Sequence, residues 1–188
     1  LLMDLSESTN DKVVGSEQTI LELMKEATSL LSWAIDKIGD NLMIAGFASD
    51  SRHDVQYYRF KPFHYSFNDE VKGRLSGIKG GLSTRMGAAI RHAGVDLLTQ
   101  PSAKKILLVL TDGEPADIDV EDPQHLRMDA KKAVEELRSH GIITFCISLD
   151  PYADEYVSRI FGKNRFMVID NLQKLPERLP QLFISLTK

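Results

Sequence analysis

One cysteine, Cys146, is all that the sequence holds of that residue, so no intrachain disulfide can staple the fold. Its place in the apolar run Ile142 to Leu149 reads as a buried small hydrophobe rather than a reactive thiol. A chain without paired cysteines suits a reducing compartment, and the expected localisation is cytoplasmic. No apolar stretch reaches the ~20 residues of a membrane span, and no basic-then-apolar signal segment opens the chain. Charge of one sign is also scarce: 23 Lys and Arg against 27 Asp and Glu leave a formal net charge of −4, with the basic residues scattered. That leaves no electrostatic footprint for nucleic acid or for an anionic membrane. Nor do His53, His64, His92, His125 and His140 show a metal-ligand spacing such as H-E-x-x-H, and they read as surface or packing residues. Repeats, linkers and low-complexity tracts are absent, so 188 residues that are 43% hydrophobic read as one domain with its own core. The abrupt opening Leu1-Leu2-Met3-Asp4 looks like the last part of a strand, which implies a domain cut from a longer protein.

What is present is a regular alternation of two periodicities. Apolar residues at Ile20, Leu23, Met24, Ala27, Leu30, Leu31, Ala34, Ile35 and Ile38 keep helical spacing until Gly39 stops them. Asn41 to Ala48 is a nearly continuous apolar run, and Asp54 to Phe60 alternates like a half-buried strand at an edge. A short helix fits Asn68 to Ser76, with Asn68 as its N-cap. Helix Met86 to Leu98, strand Lys104 to Leu110, helix Gln124 to Ser139, strand Ile142 to Leu149, helix Ala153 to Phe161, strand Phe166 to Ile169 and a last helix near Leu175 to Leu186 complete the pattern. Such alternation predicts a Rossmann-like, doubly wound α/β fold: a mostly parallel sheet, helices on both faces, one antiparallel edge strand.

In such sheets sites form at the carboxyl ends of the strands, where strand order reverses. Three segments bring oxygen-rich side chains to strand ends: Asp4-Leu5-Ser6-Glu7-Ser8, the loop Gly80-Gly81-Leu82-Ser83-Thr84-Arg85-Met86-Gly87, and Thr111-Asp112-Gly113. Together Asp4, Ser6, Ser8, Thr84 and Asp112 offer two carboxylates and three hydroxyls, all hard donors. That set suits Mg²⁺, with Mn²⁺ or Ca²⁺ as alternatives, and not zinc or a soft metal. In an extended segment residues two apart point the same way, so Asp4, Ser6 and Ser8 are expected to converge while Leu5 packs inward. The glycines before Thr84 are expected to permit a tight backbone, and Gly113 to let the chain turn away from Asp112. Two carboxylates only just balance a divalent cation, which predicts an open, water-filled position that a partner's carboxylate could fill.

These three segments, in this order, resemble the metal ion-dependent adhesion site of von Willebrand factor A domains. The resemblance spans essentially the whole chain. It implies that Ser6, Ser8 and Thr84 touch the metal directly while Asp4 and Asp112 act through water or as alternates. A narrower likeness runs through Leu110 to Asp117, Asp129 to Val134, Thr144-Phe145-Cys146 and Arg159-Ile160-Phe161-Gly162, which are similar to the carboxyl-terminal domain of NorD- and CbbO-type proteins. Membership there implies a partner, a ring-forming MoxR-class AAA+ ATPase, and a client, nitric oxide reductase for the one type and Rubisco for the other. The implied role is a non-catalytic, Mg²⁺-dependent adaptor.

Competing readings differ in chemistry. Aspartate with Mg²⁺ at strand ends also serves phosphoryl transfer. Yet the sequence has no G-x-x-x-x-G-K-[ST] loop and no G-x-G-x-x-G, and Ser6 stands where a second aspartate would follow Asp4. An extracellular adhesion domain is disfavoured by the lack of paired cysteines. The run Asp117 to Pro123, with four acids within six residues, reads as a solvated loop rather than a second cation site. Phe60, Phe63, Tyr65 and Phe67, with His64 among them, form either an exposed aromatic patch or packing around a strand end.

Overall fold

A computed structural model describes residues 1–187. Six strands form one sheet: β1 (Leu2–Asp4), β2 (Ile44–Ser49), β3 (Val55–Lys61), β4 (Lys105–Thr111), β5 (Ile142–Ser148) and β6 (Phe166–Val168). Six helices join them: α1 (Ile20–Ile38), α2 (Asp69–Ser76), α3 (Met86–Leu98), α4 (Pro123–Ser139), α5 (Asp154–Phe161) and α6 (Leu175–Thr187). Local chemistry sets the helix ends. Thr19 and Glu22 form a reciprocal capping box at α1, and Gly39, at φ 78°, takes the left-handed conformation that ends it. Asp122 caps α4, whose first residue is Pro123, a position that needs no N–H.

The strand order is β3-β2-β1-β4-β5-β6, with every neighbour parallel except the edge pair β2 and β3. The chain winds outward from β1 in one direction, then returns to β4 and winds outward in the other, so the order reverses between β1 and β4. Alternate side chains of each strand enter separate cores. Met3, Leu108, Leu110, Phe145 and Ile147 pack beneath α1, α2 and α6. Leu2, Ala45, Phe47, Leu107, Val109 and Cys146 pack beneath α3, α4 and α5. The expected fold class is therefore what forms.

Two boundaries move with consequence. The run from Asn41 contributes to the ladder only from Ile44, although Leu42 and Met43 are buried. Strand β4 runs one residue past Leu110, and Thr111, paired in register with Ser148, becomes part of the rigid sheet. The aromatic cluster divides: Phe60 and Phe67 pack against one core, Phe63 against the other, and only His64 and Tyr65 are exposed. All five histidines are exposed. Among the described residues no helix is long and apolar enough to cross a membrane.

Helices α3 and α4 approach closely through glycine. A Cβ on Gly94 would lie 2.7 Å from Leu137 Cδ1 and 3.0 Å from its Cγ, and Leu137 is locked in the core. Gly94→Ala is expected to destabilise the chain by about 1–2 kcal/mol, even after the ~1 kcal/mol of helix propensity that alanine adds. The measurement is a lowered urea midpoint with an unchanged m value.

Candidate metal centre

The reversal between β1 and β4 places Asp4 and the end of β4 side by side. Asp4 is fully buried at the end of β1. Its Oδ2 accepts from Thr111 Oγ1 at 2.7 Å, and its Oδ1 accepts from the Ser6 amide at 2.9 Å and, at 3.4 Å, from Thr84 Oγ1. Burial pushes the Asp4 carboxyl above its ordinary range, while bonds from Thr111, Ser6 and Thr84 pull it back.

Ser6 and Ser8 do come together, their hydroxyl oxygens 3.3 Å apart, but not by strand alternation. The strand ends at Asp4, Ser6 is the last extended residue (φ −64°, ψ 166°), and Glu7–Asn10 is a 3₁₀ turn. Thr9 holds that turn, its amide and hydroxyl both donating to the Ser6 carbonyl. Leu5 packs into the core as expected.

The second loop also takes a route other than the expected one. Neither Gly80 nor Gly81 has positive φ; the left-handed residue is Leu82, at φ 67°. Gly80 is required instead by close approach, since a Cβ there would lie 2.5 Å from Thr9 Oγ1 and 2.8 Å from Asn10 Oδ1. Gly113 likewise has no positive φ and free space around it, so the turn after Asp112 does not depend on glycine. Thr111 makes that turn, its hydroxyl oxygen accepting from the Gly113 amide at 3.3 Å while its proton goes to Asp4.

Backbone bonds sew the loops together. Gly81 donates to Leu5 and Glu7 donates to Leu82; Ser83 and Ser49 exchange two bonds, as do Thr84 and Ala116. Behind Thr84 lies a network that the sequence did not reveal. Arg85 Nε donates to Asp117 Oδ2 at 2.9 Å and its Nη2 bonds Asp119, while Ser49 Oγ donates to the same Asp117 oxygen at 2.8 Å. The Ser51 and Ile118 amides take the other Asp117 oxygen at 3.0 and 2.7 Å. The Asp117 side chain is fully buried, so the acidic run is not simply solvated: Asp117 and Asp119 bind Arg85, and Asp122 caps α4. Burial pushes the Asp117 carboxyl up, and the bonds from Ser49, Ile118, Ser51 and Arg85 outweigh it.

Asp112 is the exception in this well-bonded region. Both of its carboxylate oxygens are buried, and neither has a hydrogen-bond partner among the described residues. Burial pushes its carboxyl up to about 6 and the charge of Asp4 adds to this, while the Ser8 hydroxyl and the Asp112 amide oppose it. An orphaned buried carboxylate is costly, and such a group is ordinarily paired, bound to a cation or neutralised by protonation. Among the described residues no three His, Cys, Asp or Glu side chains cluster, so any metal here would rest on the hydroxyls of Ser6, Ser8 and Thr84 as well as on the two carboxylates. Oxygen-only donors, one orphaned carboxylate and three converging loops fit a hard divalent cation.

Residues 1–181 match the family model of the von Willebrand factor type A domain. The chain belongs to that family. Among proteins that this von Willebrand factor type A chain is similar to is the protein NorD of Brucella melitensis, 38% identical over 183 residues, 97% of this chain and 29% of NorD. The chain thus spans under a third of the length of the curated relatives it matches. A solved von Willebrand factor type A structure from Catenulispora acidiphila superposes with a TM-score of 0.66 at 22% identity, covering 96% of this chain and 40% of that one. Proximal thread matrix protein 1 of the mussel byssus, with a zinc-occupied adhesion-site motif, matches at a TM-score of 0.66 and 16% identity over 97% of this chain and 44% of that one.

Proposed function

We propose that the chain is a non-catalytic protein-binding module that holds Mg²⁺ between Asp4, Ser6, Ser8, Thr84 and Asp112 and uses it to grip a carboxylate of another protein. One observation carries this reading: the buried Asp112 carboxylate, without a partner, beside the hydrogen-bonded Asp4. Asp4 is held by Thr111, Ser6 and Thr84, so it orients the hydroxyls around it rather than accepting a proton from a substrate. Bound there, the cation would supply a Lewis-acidic position open to an external oxygen. The likeness to NorD, and the resemblance of the wider sequence to NorD- and CbbO-type proteins, support an adaptor to a MoxR-class AAA+ ATPase. The client, a nitric oxide reductase or Rubisco, would present the Asp or Glu. Work beside such an ATPase fits the cytoplasm and a thiol, Cys146, that is fully buried.

Mg²⁺ is expected to raise the thermal midpoint of the EDTA-stripped chain, saturably, because a ligand that binds only the folded state stabilises it by mass action. The shift should be absent in Asp112→Ala. If Mg²⁺, Mn²⁺ and Ca²⁺ all leave the wild-type midpoint in place, the metal assignment is wrong. The adaptor role is checked by pull-down of the cognate ATPase in Mg²⁺ against EDTA, and retention that ignores the metal would overturn it.

A further inference from the structure

We infer that the groove between α4, the start of β5 and the end of α5 receives an extended acidic segment of a partner protein, which pairs through its backbone with the open edge of β5. The groove lies at the amino end of the parallel strands, away from the metal loops, and the inference does not depend on the metal-binding reading.

The strand edge comes first. β5 runs from Ile142 to Ser148, but β6 pairs only with Cys146, Ile147 and Ser148. Among the described residues no strand lies beside Ile142 to Phe145 on that side. The Cys146 amide donates outward, to the Arg165 carbonyl. Peptide groups two apart on a strand face the same way, so the backbone of Thr144 is directed to the same open side. The chain that could have prolonged the ladder turns away, because the Arg165 amide bonds back to the Gly162 carbonyl. A cavity of about 580 Å³ opens here, with Val134, Ile142, Ile160 and Phe161 in its walls. Thr144 lines it too. That side chain is 5% exposed, and its hydroxyl has no hydrogen-bond partner among the described residues. An unpartnered buried hydroxyl beside an unpaired edge is a polar position that a ligand's backbone can satisfy.

Charge selects the ligand. Lys131, Arg138, Arg159, Lys163 and Arg165, dispersed in the sequence, line this one cavity, and Glu135 is the acid that faces them there. They gather on a chain whose formal net charge is −4. Arg159 is paired with Glu155, and Lys131 reaches Glu135 at 4.0 Å; Arg138, Lys163 and Arg165 form no ion pair among the described residues. Such a set attracts carboxylates. It suits a compact phosphate less well, since α4 ends at Ser139 and α5 at Phe161, which turns the negative ends of both helices toward this region. An extended segment spreads its charges among the cations and supplies the backbone groups that an open edge takes up. Cations beside a bare edge also deter self-pairing, but that role needs neither a cavity nor apolar walls.

The probe is a fluorescein-labelled heptapeptide of alternating glutamate and valine, titrated into the 188-residue chain in EDTA, where no metal can hold it. Saturable binding by fluorescence anisotropy is expected, with slowed hydrogen exchange at the Thr144 amide. Arg138→Glu combined with Arg165→Glu should weaken binding about ten-fold or more. Both positions are exposed, so the double variant should keep its thermal midpoint within about 3 °C. A glutamate-proline peptide of the same length keeps the charge and loses amide donors, and it should also bind about ten-fold more weakly. No saturable binding of the valine peptide, unchanged affinity in the charge-reversed chain, or unchanged exchange at Thr144 would overturn the inference. Equal affinity for the proline peptide or for oligothymidylate would reduce the groove to a general anion surface and overturn it as well.

Discussion

Asp112→Asn is expected to raise the thermal midpoint of the metal-free chain at neutral pH and to abolish its response to Mg²⁺. The sign follows from the carboxyl's environment. Its pKa is raised from 3.8 to about 6 in the folded state, chiefly by burial and then by the charge of Asp4. A carboxyl with a raised folded-state pKa destabilises the native state once ionised. The penalty is complete well above pH 6, shrinks as the pH falls toward 4, and vanishes below the unfolded pKa of 3.8, where the group is protonated in both states. The displacement corresponds to at most about 3 kcal/mol. The asparagine amide would itself lack partners, so a net gain of about 1–2 kcal/mol is expected at pH 7.5 in EDTA. The advantage over wild type should shrink steadily between pH 7 and pH 4. Saturating Mg²⁺ should reverse the order, since only the wild-type chain then gains binding energy. Equal midpoints for the two chains across this pH range in EDTA would show that Asp112 is not an unpaired buried carboxylate.

Asp117→Ala should be the most damaging single change at the rim. It removes the acceptor of bonds from Ser49, Ser51, Ile118 and Arg85, and leaves the Arg85 guanidinium, 11% exposed, to Asp119 alone. Breaking a buried ion pair by deleting one partner costs about 3–5 kcal/mol, and the residual Asp119 contact places this case near 3 kcal/mol. Ser51, held at φ 71° with its amide on Asp117, loses its brace at the same time. Because Arg85 follows Thr84 directly, metal affinity should fall along with stability. Glu121→Ala, an exposed change in the same loop, should stay within about 0.5 kcal/mol of wild type. Chemical denaturation of the two variants side by side checks the contrast, and an Asp117→Ala loss below about 1 kcal/mol would refute the bracing role.

Much of this was legible in the chain because it is short-range. The spacing from Ile20 to Ile38 and the stop at Gly39 define α1 without reference to any other element. The unbroken apolar strand before Thr111 marks a central, doubly covered strand, and the alternation from Asp54 marks the edge. Donor chemistry is also a property of residue type, so Asp4, Ser6, Ser8, Thr84 and Asp112 are a set of hard oxygen donors whatever their geometry. Where the structure departs from these expectations, the backbone takes another local path. Ser8 joins Ser6 through a 3₁₀ turn rather than strand pleating, and Leu82 rather than a glycine takes the left-handed position. Thr111 was in view as part of Thr-Asp-Gly, but nothing in the sequence tells that its hydroxyl holds Asp4. The signal for Arg85 and Asp117 was weaker still, an arginine after Thr84 and one acid among four.

The amino-acid order by itself determined the element sequence, the two-sided core, and the kind of atom gathered at the carboxyl edge of the sheet, because helix and strand periodicity and ligand hardness reside in neighbouring residues. Only the tertiary structure decided which of those atoms are engaged and which are left over. Thr111 meets Asp4 across 107 positions and Arg85 meets Asp117 across 32, through a strand order that reverses between β1 and β4. That reversal satisfies Asp4 completely and leaves Asp112 buried without a partner, and the unmatched charge is a physical reason for a cation to bind there.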